Sequence, residues 1–391
     1  HQVRGSNPLT GFTKTNKMIE TIFNELLKLM ITNKASDLYI KPFNKPILRI
    51  EGELYPVEFE EIKPDFTENI FDIITTVSQK KQFELNPELN IIYSIPNAQI
   101  KDRFRVNFYK NKGYIALVIR RISGDIPDLK ELNLPSILKK FMLKKKGLII
   151  VCGPTGTGKS TTLASLLNYV NKNFKKHIVT IEDPIEYIIN DINSIISQRE
   201  VGIDTNSFAE ALKNVVRQTP DIIMVGETRD KETANSILQL AETGHLILTT
   251  LHSPNTVNAI IRILQFFEQQ HHKEIINYLS TNLVAIVSQK LIPSLNGGRV
   301  PAVEILINNA RIQELMLDFN FKQMRAEIDQ FVGDGMQSFD ISLIKLYSKN
   351  LISLEVALEY AEVPHDLNLK IKTLGIKPGK DLPSELEVIS D

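Results

Sequence analysis

This chain has one cysteine, no long apolar run and no excess of charge of either sign. With Cys152 alone, neither an intrachain disulfide nor a metal site built from several cysteines can form. No apolar run approaches the roughly 18 residues of a membrane-spanning helix, and no secretory signal is visible. These absences predict a soluble protein of the cytoplasm.

The charge balance bears on the kind of partner that the protein has. The 391 residues include 46 basic and 46 acidic ones, so the formal net charge is zero. Proteins dedicated to nucleic acids usually carry a basic excess or a basic stripe, so we expect no nucleic-acid partner. The length leaves room for two or three domains, and the hydrophobic content of 42% supports sizeable cores.

The first third of the chain has the pattern of a small α+β domain, which we expect over residues 18–122. Helical spacing of apolar residues over 18–33 precedes several short strands, and a second helix is predicted over 67–82. The predicted strands cover residues 37–40, 46–50, 91–94, 103–108 and 114–119. The polar residues 1–17 predict a disordered leader or tag before a native start at Met18, or alternatively a native extension.

After an expected linker at 123–134, strands alternate with helices, and we predict a second domain over residues 135–375. The strands cover 147–151, 177–181, 221–225 and 245–250, the helices cover 159–170, 207–217 and 231–242, and a strand pair follows at 286–291 and 300–306. Apolar strands separated by helices predict a parallel sheet covered on both faces. The Pro- and charge-rich residues 376–391 predict a mobile tail.

The segment 153–162 fits the pattern G-x-x-x-x-G-K-[ST] and follows an apolar strand. A strand, a glycine-rich loop and a helix in this order form a phosphate-binding loop, whose backbone N–H groups and helix N-terminus face the anion. Lys159 would reach the β- and γ-phosphates of a nucleoside triphosphate, and Ser160 would ligate Mg²⁺. The predicted nucleotide-binding residues are Gly153, Pro154, Thr155, Gly156, Thr157, Gly158, Lys159, Ser160, Thr161 and Thr162.

Acidic residues follow the second strand of the predicted parallel sheet. Glu182, Asp183 and Glu186 come just past it, and ligands of open parallel sheets bind at the carboxyl ends of the strands. These carboxylates could orient an attacking water as a general base or hold Mg²⁺ through water. The alternative is a solvated acidic turn.

The next two strands also end in polar residues. The strand before Gly226 and Glu227 has a Walker B pattern in which glycine replaces the usual aspartate, so Glu227 would hold the water shell of Mg²⁺ or sense the γ-phosphate. The alternative role of Glu227 is to cap the following helix, for which Asp230 is better suited. His252 follows the last strand, where we favour phosphate sensing over a structural role.

Arginines of the first domain are candidates for a role in hydrolysis. Alternation along the strand 103–108 puts Arg103 and Arg105 on one face, and Arg120 lies beside the last strand. In ring ATPases, arginines from a neighbouring domain or subunit neutralise the charge of the transition state. A solvated strand face is the alternative for each of them.

Together, the segments 153–162, 181–186, 221–227 and 244–252 resemble the four motifs of type II/IV secretion ATPases, specifically of the PilT/PilU family of pilus-retraction motors. The resemblance covers residues 18–371. It implies a homohexamer whose protomers carry a PAS-like N-terminal domain and a RecA-like ATPase domain, using ATP and Mg²⁺ to turn an inner-membrane platform protein. It also implies roles for single residues: Glu186 as the catalytic base, Glu227 as the Walker B glutamate, His252 as the motif histidine, and Arg103, Arg105 and Arg120 as the charge-neutralising arginines.

Within this family the chain is more similar to the PilU branch, in segment 199–205 and at Phe339. Segment 309–316 is a degraded form of a motif typical of PilT proteins, which favours an accessory retraction motor working beside a PilT-type ATPase. The alternatives are the primary retraction motor or a pilus-assembly or type II secretion ATPase. Assembly ATPases typically carry a four-cysteine zinc site, which this chain cannot form. A RecA-like nucleic-acid motor and a non-hydrolysing scaffold are the other function classes.

Overall fold

The computed structural model describes residues 8–50, 52–96, 102–122, 124–330 and 335–380. These residues divide into two compact units, with the boundary between Asp125 and Ile126. Each unit has its own sheet, so the predicted mixed α/β class is confirmed. Among the residues that the structure describes, no helix is long and apolar enough to cross a membrane.

The first unit is an antiparallel sheet of six strands with three helices. Its strand order is β3-β2-β1-β6-β5-β4, with all neighbours antiparallel. The elements are α1 (Pro8–Thr32), β1 (Asp37–Ile40), β2 (Ile47–Ile50), β3 (Glu53–Pro56), α2 (Pro64–Ile74), α3 (Val77–Leu85), β4 (Glu88–Tyr93), β5 (Arg103–Asn111) and β6 (Tyr114–Ile122). Buried side chains such as Phe23, Phe104 and Phe108 fill the space between helices and sheet.

Three details of this unit differ from the sequence-based expectations. Helix α1 begins at Pro8, ten residues before the expected start at Met18, and the rest of the predicted leader, residues 1–7, lies outside the described residues. The helix predicted over 67–82 is two helices, because Thr76 and Gln79 exchange hydrogen bonds in a capping box that starts α3. Strand β3 was not predicted, since all four of its residues are exposed and carry no apolar alternation.

The second unit is a mostly parallel sheet of seven strands covered by helices. Its strand order is β13-β12-β7-β11-β10-β8-β9, and only the β12–β13 pairing is antiparallel among the described strands. The elements are α4 (Ile137–Phe141), β7 (Gly147–Cys152), α5 (Lys159–Asn173), β8 (His177–Glu182), β9 (Ile195–Glu200), α6 (Phe208–Val215), β10 (Ile222–Val225), α7 (Lys231–Glu242), β11 (Leu246–Leu251), α8 (Thr256–Leu264), α9 (His272–Asn282), β12 (Leu283–Pro293), β13 (Arg299–Ile307), α10 (Ala310–Leu317), α11 (Phe321–Gln330), α12 (Phe339–Ser348), α13 (Leu354–Tyr360) and α14 (Pro364–Thr373).

The four predicted parallel strands are present as β7, β8, β10 and β11, and every residue of β7 and β11 is buried. Burial on both faces explains their continuous apolar sequences. Strand β9 was missed because it is a half-buried edge strand whose sequence alternates poorly. The carboxyl ends of the four central strands lie at one edge of the sheet, which brings the predicted motifs together.

The segments expected as linker and tail contribute to the core of this unit. Leu129 and Leu134 are buried against the strands of the parallel sheet, although both fall in the predicted linker. Ile376 is buried beside α12 and α14, so the first residues of the expected tail pack on the unit. The remaining tail residues, 381–391, lie outside the described residues.

Candidate active site

The loop between β7 and α5 has the backbone shape that its glycines allow. Gly153, Gly156 and Gly158 have φ angles of +148°, +78° and +86°, which side-chain-bearing residues rarely adopt. A Cβ on Gly153 would lie 2.4 Å from the backbone oxygen of Gln289, whereas nothing lies within 4 Å of a Cβ on Gly156. The loop is therefore tight on its strand side and open above Gly156. This is the form of a backbone cradle for a phosphate.

Lys159 is the first residue of α5 and is only 8% exposed. Its Nζ donates hydrogen bonds to the backbone oxygens of Gly153 and Pro154, each at 2.9 Å, so the ammonium lies inside the loop. Burial lowers the pKa of Lys159, and the negative charges of Glu227 and Glu186 act against this shift. Acidic residues that follow two different strands, β8 and β10, therefore contribute to the electrostatics at Lys159.

Oxygen donors around Lys159 suit a magnesium ion carried by a nucleotide. Ser160 lies in the first turn of α5, and Glu227 influences the charge of Lys159 from the end of β10. The described residues contain no group of three or more His, Cys, Asp or Glu side chains that could hold a metal by themselves. Mg²⁺ is usually bound by one or two protein oxygens, phosphates and waters, and this donor set fits that mode.

Glu182, the last residue of β8, is a buried carboxyl group with uncharged partners. It accepts hydrogen bonds from the Thr180 hydroxyl at 2.6 Å and from Gln198 Nε2 at 3.1 Å. Burial raises the pKa of Glu182 to about 7, although these hydrogen bonds favour the ionised form. Glu182 is only 7% exposed. Its raised pKa means that it exchanges its proton near neutral pH.

Glu186 lies four residues further on, in the turn after β8, and its side chain is exposed. Its backbone N–H donates to Glu182, and its charge contributes to raising the pKa of Glu182. Next to it, the Tyr187 hydroxyl is 2.9 Å from the hydroxyl of Thr161 in α5, which joins this turn to the helix after the phosphate loop. Of the two glutamates predicted here as catalytic, Glu186 is the one open to water.

The end of β10 explains the glycine in the Walker B pattern. A Cβ on Gly226 would lie 3.3 Å from both Glu182 Cα and the backbone oxygen of Ile181, so a side chain has little room there. The next residue, Glu227, is 9% exposed and forms an ion pair with Arg229. Its Oε2 lies 3.5 Å from His252 Nε2. The structure thus brings two of the predicted catalytic residues, Glu227 and His252, into contact.

Hydroxyl groups tie the ends of β10 and β11 together. The hydroxyls of Thr228 and Thr249 are 2.8 Å apart, and the Thr250 hydroxyl donates to the backbone oxygen of Gly226 at 2.7 Å. These bonds fix the strand end that carries His252, whose side chain is 48% exposed. His245, at the other end of β11, has Nδ1 3.3 Å from the backbone oxygen of Leu240 and takes no part in this cluster.

The three predicted arginines belong to the first unit. Arg103 and Arg105 lie on the half-buried face of β5, opposite the buried Phe104, so the predicted alternation is confirmed. Arg120 pairs with Arg105 across β5 and β6 in the sheet register, and its Nε donates to the buried Asp37 at 3.0 Å. Their assignment to hydrolysis stays a prediction.

Two residues that bear on the site were missed from the sequence. Arg229 stands inside the Walker B segment, but only the structure shows it paired with Glu227. Gln289 on β12 hydrogen-bonds to the backbone of the phosphate loop and to Thr162. No local signal marks Gln289, since it stands 127 residues after Thr162 in an ordinary strand sequence.

Comparisons with known proteins agree in pointing to one family. The model of the type II/IV secretion system protein family matches residues 13–311. The chain is 42% identical to "Type IV pilus ATPase PilU" of Pseudomonas aeruginosa, over 93% of this chain and 94% of that protein. It is 37% identical to "Type IV pilus retractation ATPase PilT" of the same organism, over 88% of this chain and 98% of that protein.

A solved structure is similar over nearly the same length. The crystal structure of the pilus retraction motor PilT with bound ADP has a TM-score of 0.81 and 36% identity to the chain. The similarity covers 88% of this chain and 98% of that chain.

Proposed function

Because the chain belongs to the type II/IV secretion system protein family, we propose that it is an ATP-hydrolysing motor that powers type IV pilus retraction and twitching motility. Its similarity to a pilus ATPase and a pilus retraction ATPase over most of both chains supports the pilus assignment. The observation that carries the proposal is the glycine loop shaped for phosphate, with the buried Lys159 ammonium held inside it by two backbone oxygens at 2.9 Å.

The residues of the site have different roles in the transfer of a phosphoryl group to water. The phosphate loop and Lys159 bind the β- and γ-phosphates, and Ser160 and Glu227 hold Mg²⁺, which neutralises charge on the phosphates when bound. Glu186 accepts the proton of the attacking water, since its side chain is an exposed carboxyl of the turn after β8 and its charge acts on Lys159. His252 senses the γ-phosphate from beside Glu227.

Glu182 acts on this chemistry indirectly, although the sequence predicted it as catalytic. It accepts the backbone N–H of Glu186, so it helps to fix the turn that carries the general base. Its pKa of about 7 also lets it take up or release a proton close to Glu186. We propose that Glu182 positions Glu186.

The division of the chain into two compact units supports the proposal of two domains. The antiparallel sheet with its helices supports a PAS-like first domain, and the parallel sheet with the phosphate loop supports a RecA-like ATPase domain. We propose that six protomers form a ring and that Arg103, Arg105 and Arg120 supply positive charge to the transferred phosphate. The exposure of Arg120, whose side chain is 66% exposed while Asp37 holds its Nε, supports this role.

An accessory role beside a PilT-type ATPase is the finer part of the proposal. The segment that departs from the PilT-type motif starts at Asn309, which caps α10, and Arg311 within it is paired with Glu314 and Glu327 at 2.7 and 3.2 Å. An arginine held by two acids of its own unit is less free to contact a partner. We propose the cytoplasmic face of the inner membrane as its location, with the pilus platform protein as its membrane partner.

Live imaging of labelled pili in a strain that lacks this gene tests the proposal. Retraction that persists but weakens under load would support an accessory motor, whereas long pili that never retract would make this protein the primary motor. A strain without any pili would overturn the retraction proposal in favour of assembly. Complementation with the Lys159→Ala variant is the matched control, because a motor needs hydrolysis and a scaffold does not.

A further inference from the structure

Gln289 lies in β12, the strand beside β7, and is 2% exposed. Both ends of its amide are hydrogen-bonded. Nε2 donates to the backbone oxygen of Thr157 at 2.6 Å, and Oε1 accepts from the Thr162 hydroxyl at 2.8 Å. Thr157 belongs to the phosphate loop and Thr162 to the first turn of α5, so one side chain from another strand bonds on both sides of Lys159.

The same residue also sets the space available to the loop. Its backbone oxygen would lie 2.4 Å from a Cβ on Gly153, and its Nε2 would lie 2.9 Å from a Cβ on Gly158. Real Cβ atoms do not approach other atoms so closely, and both glycines have positive φ angles. Two glycines of the phosphate-loop motif therefore face Gln289, and the loop is packed against this residue as well as bonded to it.

We infer that Gln289 is a positioning residue for nucleotide binding, which holds the phosphate loop and the start of α5 in the shape that receives the phosphates. The inference rests on the proposed ATP-hydrolysing function. Backbone N–H groups bind a phosphate well only when their directions are fixed in advance. A buried amide that is hydrogen-bonded at both ends holds its partners in place, because loss of either bond would leave a buried polar group unpaired.

The contacts of Lys159 explain why hydrogen bonds from a residue outside the loop matter for its shape. Lys159 and the Thr157 hydroxyl both bond to backbone oxygens within the loop, and both bond to Pro154. A phosphate would compete with these oxygens for the Lys159 ammonium. The bonds from Gln289 do not use these oxygens, since its partners are the Thr157 oxygen and the Thr162 hydroxyl.

A second buried glutamine of the same unit provides a matched control. Gln337 is also 2% exposed, its Nε2 donates to the backbone oxygen of Val303 at 2.9 Å, and its Oε1 accepts from Lys345 at 2.7 Å. These partners belong to β13 and α12. Loss of Gln337 should cost stability as loss of Gln289 does, without touching the phosphate loop.

The first test compares Gln289→Leu with Gln337→Leu and the wild type in the full chain. Titration with a fluorescent ATP analogue gives Kd, steady-state phosphate release gives KM and kcat, and thermal denaturation gives Tm. Loss of two hydrogen bonds predicts about a tenfold or larger rise in Kd and KM for Gln289→Leu, and wild-type values for Gln337→Leu at a similarly lowered Tm. Wild-type Kd in Gln289→Leu would overturn the inference, whereas failure of the wild type to bind the analogue would overturn the proposed function instead.

The second variant, Gln289→Glu, keeps the size of the side chain and stays informative if Gln289→Leu does not fold. A protonated glutamate can donate to the Thr157 oxygen, but an ionised one repels it, and burial favours the protonated form. The inference predicts that the Kd of this variant, divided by that of the wild type at the same pH, rises severalfold from pH 6 to pH 8. Measurement of the wild type at each pH corrects for the other charged groups of the site, which are Lys159, Glu182, Glu186 and Glu227. A pH-independent ratio would show that Gln289 does not act through this bond.

Discussion

The ends of β8 and β10 look alike in sequence but differ in their electrostatic surroundings. Strand β8 ends at Glu182, which is 7% exposed, and β10 is followed by Glu227, which is 9% exposed. Uncharged donors surround Glu182, and burial raises its pKa to about 7. Two basic side chains, Arg229 and His252, flank Glu227. Two acids at equivalent places in neighbouring strands are therefore prepared for different tasks.

The difference shows that the position of an acidic residue at a strand end does not by itself determine its role. Glu182 has uncharged donors and accepts the backbone N–H of Glu186, so it supports the turn that carries Glu186. Glu227 lies beside Arg229 and His252, so it suits a site that binds phosphate and Mg²⁺. Separating titratable groups by their surroundings is a general way in which active sites assign acid and base roles.

The largest expected effect comes from removing Lys159, the buried cation of the phosphate loop. Lys159→Ala should lower the rate of ATP hydrolysis by about a thousandfold or more, because the loop loses the charge that contacts the transferred phosphate. Phosphate release by the purified protein measures it. Lys172→Ala, in the same helix and paired with the exposed Asp128, is the control and should keep the wild-type rate. Sustained turnover by Lys159→Ala would contradict the mechanism.

Next in size is the loss of the charge at the end of β10. Glu227→Gln should reduce kcat by about 10²- to 10³-fold, as removal of one transition-state contact does, while the Kd for nucleotide changes only a few-fold. Single-turnover kinetics separates the two quantities. Glu232→Gln, which breaks an exposed pair with Lys213, serves for comparison. A change confined to Kd would mean that Glu227 binds the nucleotide and does not act on the chemical step.

The free energy of unfolding should depend on pH because of Glu182 at the end of β8. The pKa of Glu182 rises from 4.5 to about 7 on folding, so the folded state keeps a proton that the unfolded state releases between these values. Glu182 therefore lowers stability as pH rises through this window, by roughly 3 kcal/mol in total at about 1.4 kcal/mol per pKa unit.

Glu182→Gln should remove that pH dependence, since the amide carries no titrating proton. Urea denaturation at pH 5 and pH 8 tests it: the stability of the wild type relative to the variant should fall at the higher pH. Asp183→Asn, an exposed change one residue away, should leave the wild-type slope in place. Parallel behaviour of wild type and Glu182→Gln would show that the burial of Glu182 has no such consequence.

The smallest expected effect is that of adding one methyl group at Gly226, between the ends of β8 and β10. In Gly226→Ala the new Cβ would press on Glu182 Cα and the Ile181 oxygen at 3.3 Å, which should cost about 1 to 2 kcal/mol of stability and slow hydrolysis severalfold. Gly244→Ala is the control, because it meets nothing within 4 Å and is disfavoured only by its φ of +112°. Equal hydrolysis in both variants would mean that the spacing of the strand ends does not matter.

The sequence predicted the site residues that belong to short motifs next to a strand, and it did not predict contacts between residues far apart in the chain. The phosphate loop, Glu227 and His252 follow apolar strands within two residues, and Glu186 lies four residues past the end of β8. Local pattern and the geometry of parallel sheets were therefore enough to predict them at one edge of the sheet. The contact of Gln289 with Thr157 depends on the pairing of β12 with β7, which joins residues far apart in the chain. Such a contact has no local pattern.

Other errors of prediction have equally specific causes. The half-buried edge strand β9 shows neither alternation nor a continuous apolar run. The break between α2 and α3 depends on a capping exchange between Thr76 and Gln79 that periodicity does not register. The low exposure of Glu182 follows from its partners Thr180 and Gln198, the second of which lies on the unpredicted β9.

The single cysteine has a practical consequence for studying this motor. Cys152 is fully buried at the end of β7, and burial raises the pKa of its thiol to about 12. A buried thiol with so little thiolate reacts slowly with alkylating dyes. The sequence of this chain is therefore already a background for thiol labelling. One cysteine introduced at a chosen surface position of these 391 residues would carry the label alone, and spectroscopy could follow the ATPase without first replacing Cys152.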